Sequence, residues 1–281
     1  MPLGLSDNLF KRIVSALSLL PVVLGLVYLG GWWFFSLLVI GGLLMFWEWC
    51  DLTGVSNTFE KLLFGSGVLI LTSVAAYYFT HYPTDIITIV LLGLPLLALV
   101  VISPKKIAAN AGPKGQTARN AFGGEHYVTA ALVALLWLRS VDDNGLMVVW
   151  LFFAVWAMDV GGYFAGKGIG GPKLAPRLSP KKTWAGLIGG MVLAAIVSFA
   201  ISLLFDLGTP VWLALAGAGV AVIAQIGDLY ESAVKRALDA KDSGNLIPGH
   251  GGILDRVDGL VFAAPAVALV LAGHQFIAAG T

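Results

Sequence analysis

Charged residues are scarce in this sequence. Asp, Glu, Lys and Arg make up 12% of its 281 residues, whereas 58% are hydrophobic, and the mean hydropathy is +0.88. Soluble globular proteins carry about 25% charged residues. So low a charge content excludes an ordinary soluble domain and predicts a protein whose surface faces lipid.

Cysteine and histidine are also rare. The one cysteine, Cys50, cannot form an intrachain disulfide or a cluster of thiolate ligands. The four histidines, His81, His126, His250 and His274, show no zinc-ligand spacing. The net charge is only +1, which gives no general attraction to nucleic acid. These absences disfavour a zinc site and predict no nucleic-acid partner.

Long apolar runs make up most of the chain. A helix needs roughly 20 apolar residues to cross about 30 Å of hydrocarbon, and the sequence contains nine runs of about that length. Their approximate bounds are 13–29, 31–50, 62–80, 85–102, 122–139, 146–165, 184–205, 210–229 and 257–279. The runs are continuously apolar, whereas barrel strands would alternate polar and apolar residues. We therefore predict an all-α polytopic membrane protein with about nine transmembrane helices.

Basic residues fall almost entirely on one side of the predicted membrane. With nine spans, 16 of the 17 lysines and arginines lie on the side of the amino terminus, and Arg139 is the exception. Cytoplasmic loops carry the excess of basic residues. We therefore predict a multi-pass protein of the cell (inner) membrane with a cytoplasmic amino terminus. Its functional site should lie at the cytoplasmic face, because the opposite loops are too short to hold one.

The first charged segment covers 157–186, AMDVGGYFAGKGIGGPKLAPRLSPKKTWAG. Asp159 lies near the end of an apolar span, where an ionisable residue is costly and is therefore a functional candidate. The following loop is rich in glycine, proline and cations, and it offers backbone N–H groups beside Lys181 and Lys182, which suits a polyanion. The alternative is that the two lysines are ordinary interfacial anchors before the next helix.

The second charged segment covers 226–259, IGDLYESAVKRALDAKDSGNLIPGHGGILDRVDG. If the preceding helix continues past the membrane surface, helical spacing places a polar stripe on one face: Asp228, Ser232, Lys235 and Asp239, with Glu231 beside them. Glycines and Pro248 then break the helix, and the next helix begins with Asp255 and Asp258 three residues apart on one face. The alternative is a solvated loop whose acids pair with basic neighbours, namely Lys235, Arg236, Lys241 and Arg256.

The acids of this segment indicate a hard cation. Mg²⁺ is commonly held by one or two carboxylates and completed by water and phosphate. A carboxylate cation site, a basic loop and a glycine-rich turn at one membrane face together predict phosphate chemistry, with Mg²⁺ alone or beside a second cation.

The segment 232–259 resembles the signature of the phosphatidate cytidylyltransferases, also called CDP-diacylglycerol synthases. Its order of Ser, Lys-Arg, Lys-Asp, Pro-Gly-His-Gly-Gly, Asp-Arg and Asp is long and therefore very specific. The stretches GDLYES at 227–232, LSPKKTW at 178–184 and FWEWCDL at 46–52 are also similar to the family's. The resemblance implies an enzyme of phospholipid biosynthesis that transfers a cytidylyl group from CTP to phosphatidate in the membrane. The products would be CDP-diacylglycerol and pyrophosphate, and Mg²⁺ would be required.

The resemblance also implies roles for particular residues. The metal-binding carboxylates are expected to be Asp228 and Asp255. The other expected catalytic residues are Lys235, Arg236, Lys241, Asp242, His250, Arg256 and Asp258. The expected substrate-binding residues are Ser232, Lys181, Lys182, Gly249, Gly251, Gly252 and Asp159. The chain is then a single integral membrane domain over 1–281, with N-terminal helices in 1–121 and the catalytic helices and loops in 122–281. A homodimer is suggested by the family and not by any spacing.

Three other functions compete with this interpretation. A secondary transporter or channel would use the acids as ion sites, although such sites usually lie near the bilayer midplane. An enzyme of the same chemistry could act on another lipid phosphate, such as an archaeal ether lipid or a polyprenyl phosphate. A CDP-alcohol phosphotransferase acts on related lipids, but its glycine and aspartate pattern is not matched here.

Overall fold

The computed structural model describes residues 7–82, 88, 90, 92–93, 117–244, 246 and 251–280. Eight helices and two short strands are assigned within these ranges. In chain order they are α1 (Asp7–Leu29), α2 (Gly31–Leu52), α3 (Thr58–His81), α4 (Thr117–Ser140), α5 (Leu146–Gly168), β1 (Lys173–Ala175), β2 (Ser179–Thr183), α6 (Trp184–Phe205), α7 (Pro210–Ala237) and α8 (Leu254–Gly280).

Seven of these helices, α2 to α8, are long and apolar enough to cross a membrane. The all-α prediction is confirmed for the described residues, whose only strands are β1 and β2 of one small hairpin. For α1, side chains are described only over the stretch Ser18–Leu29, which is apolar. The predicted span 85–102 lies largely outside the described residues, so the count of nine stays a prediction.

Local sequence signals explain several helix boundaries. Gly30 and Gly31 have φ of 61° and 49°, a region that glycine enters at little cost, and the chain turns there from α1 into α2. The side chain of Asn57 accepts a hydrogen bond from the backbone N–H of Phe59 and caps α3. Thr183 caps α6 in the same way through the N–H of Gly186.

The bundle formed by the described helices has two opposite ends. At one of them, here called the Arg139 end, the Arg139 guanidinium at the end of α4 donates to the backbone oxygens of Val27 and Tyr28 near the end of α1. At the other, the Glu48 end, the Glu48 carboxylate near the end of α2 accepts from the first turn of α8. Helices that are joined by short loops within the described residues therefore run in opposite directions, whereas α3 and α4, which residues 82–116 separate, both end at the Arg139 end.

Glycines allow α5 and α6 to pack closely. A Cβ added at Gly186 would lie 2.9 Å from the backbone oxygen of Gly162, and one added at Gly190 would lie 2.8 Å from that of Met158. Such distances are too short for any side chain, so these small residues mediate contact between helices of one chain.

An aromatic stack lies beneath the Glu48 end. Trp49 of α2 stacks on Tyr127 of α4 at a centroid distance of 5.0 Å, and Tyr127 lies 6.0 Å from Tyr230 of α7. Tyr230 in turn contacts Phe262 of α8 at 5.2 Å. Large aromatic groups contribute much apolar contact area, and this stack joins the four helices whose ends carry the polar residues described next.

Candidate active site

Two glycines bring α7 and α8 into contact at the Glu48 end. A Cβ at Gly227 would lie 2.5 Å from the backbone oxygen of Asp258, and a Cβ at Gly259 would lie 3.1 Å from the side chain of Ala224. The helices can approach this closely only because both residues lack a side chain. The approach places Asp228, next to Gly227, beside Asp258.

The hairpin adds a cation to these acids. The Lys182 ammonium group on β2 forms a salt bridge with Asp228, and both side chains are only partly exposed. The preceding residue, Lys181, is exposed, because successive side chains of a strand point to opposite faces. The Ser232 hydroxyl, one helical turn after Asp228, donates to the other carboxylate oxygen at 3.4 Å. Of the two lysines, Lys182 contacts an acid of this end, and the substrate-binding role of Lys181 stays a prediction.

Lys235 joins two further acids. Its Nζ atom lies 2.8 Å from Glu231 Oε2, one turn earlier on α7, and 2.6 Å from Asp255 Oδ1 at the start of α8. The side chains of Lys235 and Asp255 are only 12% and 9% exposed. The alternative interpretation of this segment is a solvated loop whose acids pair with basic neighbours. The acids do pair with Lys235, but this pair is largely buried and is not part of a solvated loop.

The other oxygen of Asp255 holds the backbone of the preceding loop. Oδ2 accepts hydrogen bonds from the N–H groups of Ser243 at 2.9 Å and of Gly252 at 3.1 Å. The carboxylate is therefore oriented by one lysine and two backbone donors. An acid fixed by three donors cannot rotate freely, so its remaining lone pairs keep a constant direction.

The polar residues at this end form an acid-rich cluster, here called the carboxylate cluster. Its members are Asp159, Asp228, Glu231, Asp255 and Asp258, which interact with one another electrostatically. Asp159 on α5 also interacts with Lys182 and Arg256. The five acids are thus accompanied by Lys182, Lys235 and Arg256, which leaves two negative charges in excess if all groups are ionised.

A divalent cation fits this charge balance. The Oε1 atom of Glu231 is buried and has no hydrogen-bond partner, and a buried unsatisfied carboxylate oxygen is costly. Oxygen donors are the ligands that Mg²⁺ prefers. No ready-made group of three or more His, Cys, Asp or Glu ligands occurs within the described residues. Mg²⁺ nevertheless commonly takes only one or two carboxylates and completes its shell with water and phosphate.

Other predicted site residues lie away from the cluster or outside the described ranges. Arg236 is exposed and donates to the backbone oxygen of Ala240, just beyond the end of α7. Lys241 and Asp242 are exposed. Gly251 and Gly252 precede α8, and Gly251 has a φ of 86°. The predicted substrate residue Gly249 and the predicted catalytic residue His250 lie outside the described residues.

The predicted polar stripe on α7 is right for its first three members and wrong for the last. Asp228, Ser232 and Lys235 share a face, but α7 ends at Ala237. Asp239 lies beyond it with a φ of 54°, and it is exposed. The helix ends there because the backbone at Asp239 adopts a left-handed conformation, which Asp tolerates better than most residues.

Two acids of this end were not predicted as site residues. Glu231 is only a neighbour of the predicted stripe, although its spacing of four from Lys235 predicts an ion pair. Glu48 contributes to the sequence prediction only as part of the motif FWEWCDL. An ionisable residue inside an apolar span is a functional candidate by itself, and that signal would have selected Glu48.

Comparison with known proteins identifies the family. The model of the cytidylyltransferase family matches residues 10–273. A phosphatidate cytidylyltransferase of Brucella suis is 40% identical over 263 residues, which cover 92% of this chain and 91% of that protein. One from Pseudomonas aeruginosa is 37% identical over 93% of this chain and 96% of its own. One from Bacillus subtilis is 44% identical over 48% of this chain and 51% of its own. The chain therefore belongs to the cytidylyltransferase family, as its resemblance to the phosphatidate cytidylyltransferases implies.

Proposed function

We propose that this protein is a Mg²⁺-dependent nucleotidyltransferase that converts CTP and phosphatidate into CDP-diacylglycerol and pyrophosphate. The observation that carries the proposal is the carboxylate cluster with Lys182 and Lys235. It lies at one end of a bundle of membrane-spanning helices, in a chain 40% identical over 92% of its length to a protein of that name. Acyl chains would remain in lipid while the nucleotide enters from water.

The reaction must overcome repulsion between two anions. The phosphate monoester of phosphatidate has a second pKa of about 6 and is mostly dianionic at neutral pH, so it is already a nucleophile and needs no general base. One of its oxygens attacks the α-phosphorus of CTP and forms a new P–O bond. The bond from the α-phosphorus to the bridging oxygen then breaks, and its electron pair leaves with pyrophosphate.

The lysines of the site are placed to neutralise this charge. Lys182 and Lys235 are held by Asp228 and Asp255, respectively, so their ammonium groups lie at the carboxylate cluster before any substrate arrives. Preorganised charge of this kind is a large contribution to catalysis because no reorganisation is needed during the reaction. Asp228 and Asp255 are the residues that would hold Mg²⁺. A bound Mg²⁺ supplies Lewis-acid neutralisation of phosphate oxygens.

Further roles are proposed for the loop before α8. Gly249 and Gly251 would allow the backbone to approach a phosphate closely, whereas Gly252 would act indirectly, because its own N–H donates to Asp255. His250 would donate to a phosphate oxygen without acting as a base. Arg236, Lys241 and Arg256 are proposed to bind the lipid or nucleotide phosphates, and Asp242 and Asp258 are proposed to orient these cations or the metal.

The proposal includes an orientation and an assembly. The Glu48 end faces the cytoplasm, the amino terminus lies on the same side of the inner membrane, and the protein works as a homodimer. Cysteines introduced at Lys181 and at Asn144 test the orientation, since only the second should react with an impermeant maleimide added to intact cells. Reaction of the first alone would reverse it.

A direct assay tests the function. Purified protein is incubated with phosphatidate, MgCl₂ and CTP labelled at the α-phosphate. The label should appear in a lipid with the mass of CDP-diacylglycerol, with one pyrophosphate released per lipid, and EDTA should stop the reaction. Labelling of a polyprenyl phosphate or an ether lipid but not of phosphatidate would change the substrate. Ion transport without nucleotide turnover would overturn the proposal.

A further inference from the structure

Glu48 connects the N-terminal helices to the candidate active site. It lies in the last turns of the apolar helix α2, and its residue is only 7% exposed. Its Oε1 atom accepts from the N–H of Ile253 at 2.9 Å, and its Oε2 atom accepts from the N–H of Leu254 at 3.0 Å. These donors stand more than 200 residues later in the sequence, where α8 begins.

The contact with Glu48 supplies acceptors that the first turn of α8 needs. The first four N–H groups of an α-helix have no partner within the helix and need acceptors from outside it. A negative charge at that position is also favoured by the helix dipole. Helices usually obtain such a cap from a side chain close in sequence, whereas α8 takes it from α2.

The surrounding loop is shaped around the Glu48 carboxylate. A Cβ added at Gly252 would lie 2.7 Å from Glu48 Oε2, and one added at Gly244 would lie 3.0 Å from Oε1. A side chain at either position would therefore crowd the carboxylate and force it to shift. Gly244 lies in the middle of the loop that joins α7 to α8 and Gly252 lies near its end, so Glu48 packs against two separate parts of that loop.

Asp255 completes the same arrangement from the active-site side. It accepts from the N–H of Gly252, the residue immediately before the two that donate to Glu48. Three consecutive backbone N–H groups, those of Gly252, Ile253 and Leu254, are thus shared between the two carboxylates. A shift of the backbone away from Glu48 would change the direction of Asp255 and its contact with Lys235.

We propose that Glu48 is a positioning residue, which fixes the first turn of α8 and thereby holds Asp255 in the orientation that the reaction needs. The inference rests on the proposed function, since it assigns Asp255 a role there. Glu48 is assigned no contact with substrate, because the residue is only 7% exposed and each of its oxygens already accepts from a backbone N–H at the start of α8. The N-terminal helices would then contribute to catalysis through one carboxylate.

The test compares three variants of α2. Glu48→Gln keeps the size but replaces one acceptor oxygen by an NH₂ group that faces a backbone N–H. Glu48→Asp keeps both acceptors and the charge on a shorter side chain. Asp51→Asn is the matched control, since Asp51 lies one turn later on α2, is 59% exposed and pairs with Lys61. Monodispersity in detergent and thermal unfolding establish that each variant is folded.

Two readouts separate positioning from a general structural role. The first is kcat with its dependence on Mg²⁺ and on CTP. The second is hydrogen–deuterium exchange of the amides in 251–256. In Glu48→Gln we expect kcat to fall by about 10- to 100-fold, as for other residues that orient a metal ligand. The Mg²⁺ concentration for half-maximal rate should rise, the KM for CTP should change little, and exchange should quicken in 251–256. Glu48→Asp should recover part of each effect, and Asp51→Asn should match the wild type.

Several outcomes would overturn the inference. One is a Glu48→Gln protein with wild-type kcat, and another is a loss of kcat with unchanged exchange in 251–256, which would instead indicate direct contact with substrate or metal. If Glu48→Gln does not fold, Glu48→Asp decides, because wild-type activity and exchange in that variant would remove the role. A wild-type protein without CTP turnover would contradict the proposed function instead, and the two failures are thereby distinguished.

Discussion

The two ends of the helix bundle use charged side chains differently. At the Arg139 end, the guanidinium donates to backbone oxygens of four residues, Val27, Tyr28, Asp142 and Asp143, at 2.7–3.2 Å. At the Glu48 end, lysines instead pair with carboxylates, and the acids exceed the cations. A charged side chain whose hydrogen bonds go to backbone groups stabilises the fold. Charges that face one another and leave an excess can also bind a ligand.

Asp142, like Arg139, binds backbone groups with its charged side chain. Its carboxylate accepts from the backbone N–H groups of Asn144, Leu146 and Met147 and so caps the start of α5. The Arg139 end is therefore a structural junction between α1, α4 and α5. Glu48 also binds backbone N–H groups, yet these lie next to the N–H that donates to Asp255 of the carboxylate cluster. The Glu48 end thus contains both a structural acid and acids available for chemistry.

The largest expected effect comes from neutralising the two acids proposed to hold Mg²⁺. Asp228→Asn and Asp255→Asn should each lower turnover by at least about 100-fold, because each removes a charge that orients both a cation and a lysine. Turnover of labelled CTP into lipid measures the effect, after folding has been checked by size exclusion and thermal unfolding.

The matched control is Asp206→Asn between α6 and α7. Asp206 has a φ of 52°, which Asn tolerates as well as Asp does, and it lies on the far side of the membrane from Asp228. We expect wild-type turnover from this variant. Near-normal activity in Asp228→Asn or Asp255→Asn would remove that residue from the mechanism and weaken the distinction between the two ends.

A smaller effect should separate the adjacent lysines of β2. Lys182→Met removes the partner of Asp228 and is expected to lower turnover by about 10- to 100-fold. Lys181→Met changes an exposed side chain and should stay within about 2-fold of the wild type. Steady-state rates at saturating CTP and phosphatidate measure both. Equal losses in the two variants would contradict the assignment of Lys182 to the face of β2 that contacts Asp228 and of Lys181 to the exposed face. Both lysines would then be phosphate ligands.

The sequence predicted the helices well because their signals are local. The run predicted at 184–205 coincides with α6, and the polar spacing on α7 placed Asp228, Ser232 and Lys235 on one face. The β hairpin was predicted only as an irregular loop, since three- and five-residue strands leave too short an alternation to recognise. The pairing of Lys182 with Asp228 joins residues 46 apart, and the cap from Glu48 joins residues about 205 apart. Neither contact has a local signal.

The smallest expected effect on turnover comes from the opposite end. Arg139→Met would leave carbonyl oxygens at the end of α1 and in the loop after α4 without their donor, and two of these hydrogen bonds are part-buried; an unsatisfied buried acceptor costs about 1–3 kcal/mol. We therefore expect a lower midpoint of thermal unfolding in detergent. Turnover per folded molecule should stay within about 2-fold of the wild type, because the guanidinium lies at the opposite end of the helices from Asp228.

Arg139→Lys is the matched variant. It keeps the charge but loses the forked geometry that reaches several carbonyls at once, so it should be destabilised nearly as much. If Arg139→Met instead lowers kcat strongly while its thermal stability is unchanged, charge at this end takes part in the reaction, and the two ends do not divide structure from chemistry.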